Sequence, residues 1–181
     1  MKISCFKVCS VVVLIAAFST PALSCIDGFM TGLSDYTGGD RSGKKTFRVE
    51  EFLVICVTPK QSGYMAIYDS PAQGDFEQLY PNVMTHDQGE TFSRVSGGET
   101  YCFGTSDSFP MYHPSSEGLG RGKVSVVLTA SQDQQLPAED FEIPGQRVRS
   151  GVMNRYLSIH SESQGKCTDR EVKYLYYDVI Q

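Results

Sequence analysis

Short runs of β-branched and aromatic residues, each closed by glycine, proline or other turn residues, recur along most of this chain. Runs of this length and composition are typical of β-strands. No stretch repeats apolar residues at the 3.6-residue period of an amphipathic helix. Many short strands separated by turns favour an all-β fold with little helix, an antiparallel β-sandwich of Ig-like or related type. We predict strands at 47–58, 64–68, 76–80, 91–95, 100–104, 123–131, 155–160 and 171–180, the first two forming a hairpin.

The first 24 residues have the order of a secretory signal. Lys2 and Lys7 precede an apolar run at 8–18, and Ala22 and Ser24 place small residues at the −3 and −1 positions of a cleavage site. The apolar run is too short to span a bilayer, and no second run approaches that length. We therefore expect an exported protein, periplasmic or secreted, without a transmembrane segment.

Four of the six cysteines follow the predicted cleavage site. An even number in an exported chain favours two disulfides, and four cysteines allow three pairings. Cys56 and Cys102 both lie inside apolar strands, and buried cysteines in facing strands can bridge within a sandwich. We therefore favour Cys56–Cys102, which leaves Cys25–Cys167. No short Cys-x₂₋₄-Cys spacing indicates zinc, and we expect no metal or other cofactor.

Cys25 directly follows the cleavage site and supports a second hypothesis, lipid anchoring through its thiol. Ala22 and Leu23 stand in the reverse of the order that a lipoprotein signal favours, and acylation would leave an odd number of thiols. We favour the disulfide.

The predicted domain organisation is a signal segment at 1–24, a loop-like leader rich in Gly, Ser and Asp at 25–46, and one β-sandwich domain at 47–181. Loss of the signal leaves fourteen lysine and arginine residues against twenty-one aspartate and glutamate residues, a net charge of −7. Phosphate binding needs clustered Lys and Arg, so we expect no nucleic-acid partner.

Residues 47–131 resemble a bacterial domain family of unknown function, whose members often lie beside Ser/Thr kinase or caspase-like domains. The resemblance rests on an apolar strand followed by Gly-Tyr-Met-Ala-Ile-Tyr at 63–68 and Leu-Tyr-Pro-Asn at 79–82. It implies a small β-sandwich and carries no established catalytic residues. Cys56 and Cys102 depart from the family pattern, and residues 132–181 lie outside it.

The sequence favours a non-enzymatic protein that binds a protein or cell-envelope partner. Tyrosine-rich strand faces make binding surfaces, and Tyr174, Tyr176 and Tyr177 are the candidate partner surface, although they could equally cover the core of the sheet. One alternative is a secreted toxin or hydrolase with a site around His86, Asp87 or His113. The other is a structural accessory of an envelope or secretion apparatus, with residues 132–181 as its contact surface.

Overall fold

A computed structural model of the chain describes residues 24–38, 41, 43–81, 91–105, 119–143, 146–160, 162 and 167–181. Of these described residues, 49% are strand and 14% are helix, and with two sheets and two disulfides they form a sandwich-like all-β fold. The predicted signal segment lies outside the described residues except for Ser24. Within the described ranges, no helix is both long and apolar enough to cross a membrane.

Two sheets pack face to face, and the chain moves between them several times. The small sheet has the order β1-β3-β7, and the large sheet has the order β2-β11-β8-β4-β5-β10-β9, with β6 also paired to β4. Neighbouring strands are antiparallel except for β2 and β11, which are parallel. The strands are β1 Ile26–Gly32, β2 Thr46–Arg48, β3 Leu53–Pro59, β4 Gly63–Ser70, β5 Phe76–Tyr80, β6 Ser93–Val95, β7 Tyr101–Phe103, β8 Gly120–Thr129, β9 Phe141–Ile143, β10 Arg147–Val148 and β11 Arg170–Ile180.

The main core fills the space between the two sheets. Alternation along β8 sends Val124, Val126 and Leu128 to this inner face, where they are fully buried. Leu53 and Ile55 of the small sheet pack in the same cluster. Side chains on a strand alternate between the two faces of its sheet, so the odd-numbered neighbours on β8 point away from this core. The outer face of the large sheet therefore needs a cover of its own.

A second layer, built around the helix α1 (Ser150–Ser158), covers part of that outer face. Met153, Tyr156 and Leu157 of α1 pack on sheet residues that include Tyr68 and Val127. We predicted a strand at 155–160, and this prediction is wrong for 155–158, which form the second half of α1. The buried residues at 153, 156 and 157 follow helical spacing, but nine residues are too short for the period to stand out.

Gln135 ties this second layer to the sheet. Its side-chain Nε2 donates to the carbonyl oxygen of Tyr64 (2.7 Å) and to Thr129 Oγ1 (3.0 Å), and its Oε1 accepts from Tyr156 OH (3.1 Å). The segment 132–150 is polar in sequence but contributes buried groups as well as the two short strands β9 and β10. The buried Gln135 amide thus makes three hydrogen bonds, and these hold the second layer in one position on the sheet.

Two further predictions about elements differ from the structure. The leader is not loop-like throughout, because Ile26–Gly32 forms β1 and pairs with β3 along its whole length. The predicted strand 47–58 is two strands, and β2 lies in the large sheet while β3 lies in the small one. The predicted hairpin is therefore wrong: β3 pairs with β1 and β7, whereas β4 pairs with β5, β6 and β8. Both β3 and β4 are almost wholly buried, so the alternation that would have assigned their faces is missing.

Both disulfides have the pairing that the sequence favoured. Cys25 is bonded to Cys167, which closes a sequence separation of 142 residues. Cys56 is bonded to Cys102, and the two residues stand directly opposite each other on β3 and β7. With its sulfur in a disulfide, Cys25 has no thiol to carry a lipid.

Candidate functional site

The three tyrosines of the predicted partner surface do not share one face of β11. Tyr174 is half-buried and Tyr176 is 53% exposed, and both lie on the outer face of the large sheet. Tyr177 lies on the inner face, 1% exposed, and its hydroxyl donates to Asp69 Oδ1 at 2.8 Å. Tyr177 therefore belongs to the core, which is the alternative that the sequence left open for these tyrosines, since adjacent residues of a strand point to opposite faces.

The outer face beyond the α1 layer carries a set of exposed and half-buried side chains, which we call the open face. Its centre is the cross-strand pairing of Tyr176 with Lys123 and of Asp178 with Arg121. Ile180 is 46% exposed and stands opposite Arg48 of the edge strand β2. The open face consists of Arg48, Arg121, Lys123, Tyr174, Tyr176, Asp178 and Ile180.

Positive charge exceeds negative charge on the open face. Arg121 Nε lies 3.3 Å from Asp178 Oδ1, in an ion pair whose two side chains are both well exposed. Among the described residues, no ion pair joins the side chain of Arg48 or Lys123 to a carboxylate. The open face as defined thus contains three cationic side chains and one carboxylate, whereas the whole chain has a net charge of −5.

At one end of the open face, Tyr174 meets the covered part of the sheet. Burial and the nearby Glu162 carboxylate raise the pKa of the Tyr174 phenol. The Lys123 ammonium lies 4.7 Å from the centroid of this ring, within the range of a cation–π contact. The Tyr174 and Tyr176 rings have centroids 6.3 Å apart, so the two rings adjoin on one surface.

Sequence reasoning found the two outer-facing tyrosines but missed the cations beside them. The signal was present, because Lys123 belongs to the polar half of the alternating run at 123–131. Arg121 and Arg48 gave no such signal, since their place on this face depends on the register of β8 with β11 and of β2 with β11.

The residues of the hydrolase hypothesis, His86, Asp87 and His113, lie outside the described residues. His160 is described and lies buried at the end of the α1 layer. Its Nδ1 is 2.9 Å from the backbone carbonyl oxygen of Tyr156, and its ring packs on the Tyr156 ring. Burial lowers the pKa of this imidazole. His160 Nδ1 thus hydrogen-bonds to a backbone carbonyl group. The hydrolase hypothesis stays a prediction.

Metal-ligating residues are dispersed. In the part of the chain that the structure describes, no three His, Cys, Asp or Glu side chains come together in a way that could hold a metal ion. Cys25, Cys56, Cys102 and Cys167 all lie in disulfides.

No family model matches this chain, and neither does any curated protein or solved structure. The resemblance of residues 47–131 to a bacterial domain family stays a prediction. Two of its residues have local structural roles. A Cβ on Gly63 would lie 2.4 Å from the carbonyl oxygen of Thr129, so this position needs glycine, and β5 ends at Tyr80 just before Pro81.

Proposed function

We propose that this chain is an exported, non-enzymatic β-sandwich protein that binds an acidic protein partner through its open face. The observation that carries the proposal is the exposure of Tyr176 and Ile180 between cationic side chains, on the part of the large sheet that α1 leaves uncovered. The resemblance of residues 47–131 to a small β-sandwich family without established catalytic residues supports the same class of function.

The composition of the open face is that of a binding surface. Tyrosine and arginine are enriched where proteins bind one another, because a tyrosine ring and an arginine guanidinium each combine contact area with hydrogen-bonding groups. On β11, Tyr176 lies two residues before Asp178 and Ile180 lies two residues after it, so the three side chains point to the same face of the sheet. Apolar contact and charge are thus available side by side.

Charge complementarity selects the chemistry of the partner. Arg48 and Lys123 flank the aromatic and aliphatic centre of the open face and form no ion pair with a carboxylate among the described residues, while the chain as a whole is acidic. A partner surface that carries carboxylates would be steered toward this face and away from the rest of the molecule. An anionic glycan or lipid of the envelope is the competing partner, and the experiment below separates it from a protein.

The location of the chain is part of the proposal. Two disulfides fit an oxidising compartment outside the cytoplasm, where a chain with the predicted signal at 1–24 would be delivered. Much of the open face comes from β11, within the segment 132–181 that the structural-accessory hypothesis names as a contact surface. The two hypotheses therefore share this surface and differ in the identity of the partner.

The test is site-specific photo-crosslinking in the producing cells. A photoreactive phenylalanine analogue replaces Tyr176 in one variant and Ile143 in the control variant, because Ile143 is also well exposed (45%, against 53% for Tyr176) but lies on β9, away from the open face. We expect one discrete protein adduct from position 176 and none from position 143. Glycan or lipid adducts alone from position 176 would contradict the proposal.

A charge reversal then tests whether the adduct depends on the cations. Arg121→Glu is matched by Arg149→Glu, because both arginine side chains are 72% exposed and each forms one ion pair, Arg121 with Asp178 and Arg149 with Glu142. We expect the adduct to fall at least about tenfold with Arg121→Glu, as like charges meet across the interface, and to persist with Arg149→Glu. Equal effects of the two substitutions would overturn the assignment of the surface.

A further inference from the structure

A row of buried polar side chains crosses the outer face of the large sheet beneath the second layer. Tyr68 of β4 stands directly opposite Gln78 of β5 on one side and opposite Ser125 of β8 on the other. Tyr174 of β11 stands opposite Ser125 and ends the row at the open face. Residues directly opposite one another on neighbouring strands have side chains on the same face. We call Gln78, Tyr68 and Ser125 the polar row.

The side chains of the polar row make no hydrogen bond within the described residues. Tyr68 OH, Ser125 Oγ and both polar side-chain atoms of Gln78 are buried, and none of the four has a hydrogen-bond partner there. Buried polar groups in folded proteins are nearly always paired, and leaving one unpaired is costly. Four such atoms on three adjacent strands indicate a missing partner.

Lys123 places a positive charge beside this row: it lies two residues from Ser125 on the same face of β8, opposite Ser70 of β4 and Tyr176 of β11. Its Nζ lies 5.8 Å from the centroid of the Phe76 ring on β5 and 4.7 Å from that of the Tyr174 ring on β11. The two strands between β5 and β11 in the sheet are β4 and β8. Because it is close to both rings, Lys123 Nζ lies above β4 and β8, the strands that carry Tyr68 and Ser125.

From this arrangement we infer that the polar row, with Lys123 beside it, is a binding site for a small carboxylate. Tyr68, Ser125, the Gln78 amide nitrogen and the Lys123 ammonium supply donors, and one unit of positive charge matches one carboxylate. Burial raises the pKa of the Tyr68 phenol well above its ordinary value, so its hydroxyl remains a donor. Among the described residues Lys123 has no ion pair with a carboxylate, so its charge is available to a ligand.

The carboxylate could belong to a free organic acid or to a side chain of a bound protein. Both present the same two oxygens to the row. The inference does not depend on the proposed partner surface, because Tyr68, Ser125 and Gln78 lie outside the open face and only Lys123 is common to both. Arg121→Glu separates a failure of the proposed function from a failure of this inference. The substitution should greatly reduce partner capture and leave acetate binding at the polar row unchanged.

The test measures the melting temperature of the mature protein with acetate, with its neutral analogue acetamide, and with chloride at the same ionic strength. We expect acetate to raise the melting temperature by about 5 °C near saturation, and acetamide and chloride to leave it unchanged. A blocked single-glutamate peptide forms a further arm. A larger shift with the peptide than with acetate identifies a protein side chain as the source, and the reverse identifies a free acid.

Variants decide whether the polar row is the site. Tyr68→Phe and Lys123→Met should each abolish the acetate shift, whereas Lys173→Met, a half-buried lysine elsewhere on β11, should retain it. Because the Tyr68 hydroxyl has no partner in the unliganded protein, Tyr68→Phe should leave the melting temperature without acetate unchanged or higher. Three results would overturn the inference: an equal shift with acetamide, an acetate shift retained by Lys123→Met, or a crystal structure with acetate that shows only water on the polar row.

Discussion

Tyr177 lies across Gly122, the residue directly opposite it on β8. A Cβ built on Gly122 would lie 2.3 Å from Tyr177 Cζ and 2.5 Å from its hydroxyl oxygen. The ring occupies the place that a side chain at position 122 would need, and its hydroxyl then reaches the buried Asp69 carboxylate at 2.8 Å. The absence of one methyl group thus allows a buried tyrosine to reach a buried carboxylate.

Gly122→Ala should destabilise the protein strongly. The added methyl group would displace the Tyr177 ring and break its hydrogen bond to Asp69, and we expect the free energy of unfolding to fall by about 2–4 kcal/mol. Urea denaturation followed by circular dichroism measures this change.

Gly151→Ala is the matched control, because nothing lies within 4 Å of a Cβ at this helical position. It should raise the free energy of unfolding by about 0.5–1 kcal/mol through helix propensity. If both alanine variants behave alike, the Tyr177 ring does not depend on Gly122.

At the scale of elements, α1 begins without a capping side chain from its own N-cap residue, Arg149. Asp75, in the turn before β5, takes that role, since its Oδ1 accepts from the backbone amide of Ser150 (3.1 Å) and from its hydroxyl (3.0 Å). These two hydrogen bonds, helped by Arg147 and Arg149, lower the pKa of the Asp75 carboxyl. A carboxylate 75 residues away in sequence thus caps the helix that forms the second layer.

Asp75→Ala should loosen α1 while the sheets remain intact. We expect faster amide hydrogen exchange in 150–158 and unchanged exchange in β4 and β8. Glu139→Ala, at an exposed carboxylate in a short 3-10 helix, is the control and should leave the exchange of α1 unchanged.

The effect of Asp75 also has a definite pH dependence. Because its folded-state pKa is lowered, the carboxylate stabilises the fold above the unfolded-state pKa, about 3.9, and this stabilisation is lost as the pH falls through the folded-state pKa. The difference between wild type and Asp75→Ala should therefore vanish in strong acid. A difference that grows on acidification would contradict the capping role.

The accuracy of the sequence predictions varies from element to element for a physical reason. β5 was predicted with its observed bounds, and β11 to within one residue, because composition and flanking turn residues mark them clearly. β1 was missed because its sequence, Ile-Asp-Gly-Phe-Met-Thr-Gly, combines turn formers with too few strand formers. Its strand conformation comes from pairing with β3 rather than from its own propensity.

The same limit applies to the candidate site. Period-2 alternation along 171–180 was sufficient to place Tyr174 and Tyr176 on one face and Tyr177 on the other, as the structure has them. The polar row could not be predicted, because the opposition of Gln78, Tyr68 and Ser125 depends on the register of three strands that are far apart in sequence.

At the scale of the whole molecule, the Cys25–Cys167 disulfide connects the start of β1 to the segment that leads into β11. β1 belongs to the small sheet and β11 to the large one, so the bond joins the two sheets of the sandwich as well as two distant parts of the chain. The Cys56–Cys102 bond acts within the small sheet alone.

Removal of the inter-sheet disulfide should have a large effect. In the chain-entropy account, a loop of this length contributes about 4–5 kcal/mol, and we expect Cys25→Ala/Cys167→Ala to lower the free energy of unfolding by that amount. Urea denaturation measures the change, with Cys56→Ala/Cys102→Ala as the comparison. Peptide mapping without reduction checks the pairing, and a Cys56–Cys167 peptide would refute it.

The sequence by itself determined the β-rich class of the fold and most strand positions, and it favoured the observed cysteine pairing, because these depend on local composition and on which segments are apolar. Only the tertiary structure decided which sheet each strand joins, that a helix covers part of the outer face, and that Lys123 lies beside the polar row. Those features depend on register and on contacts between residues far apart in sequence, where a displacement by one residue turns each side chain to the other face.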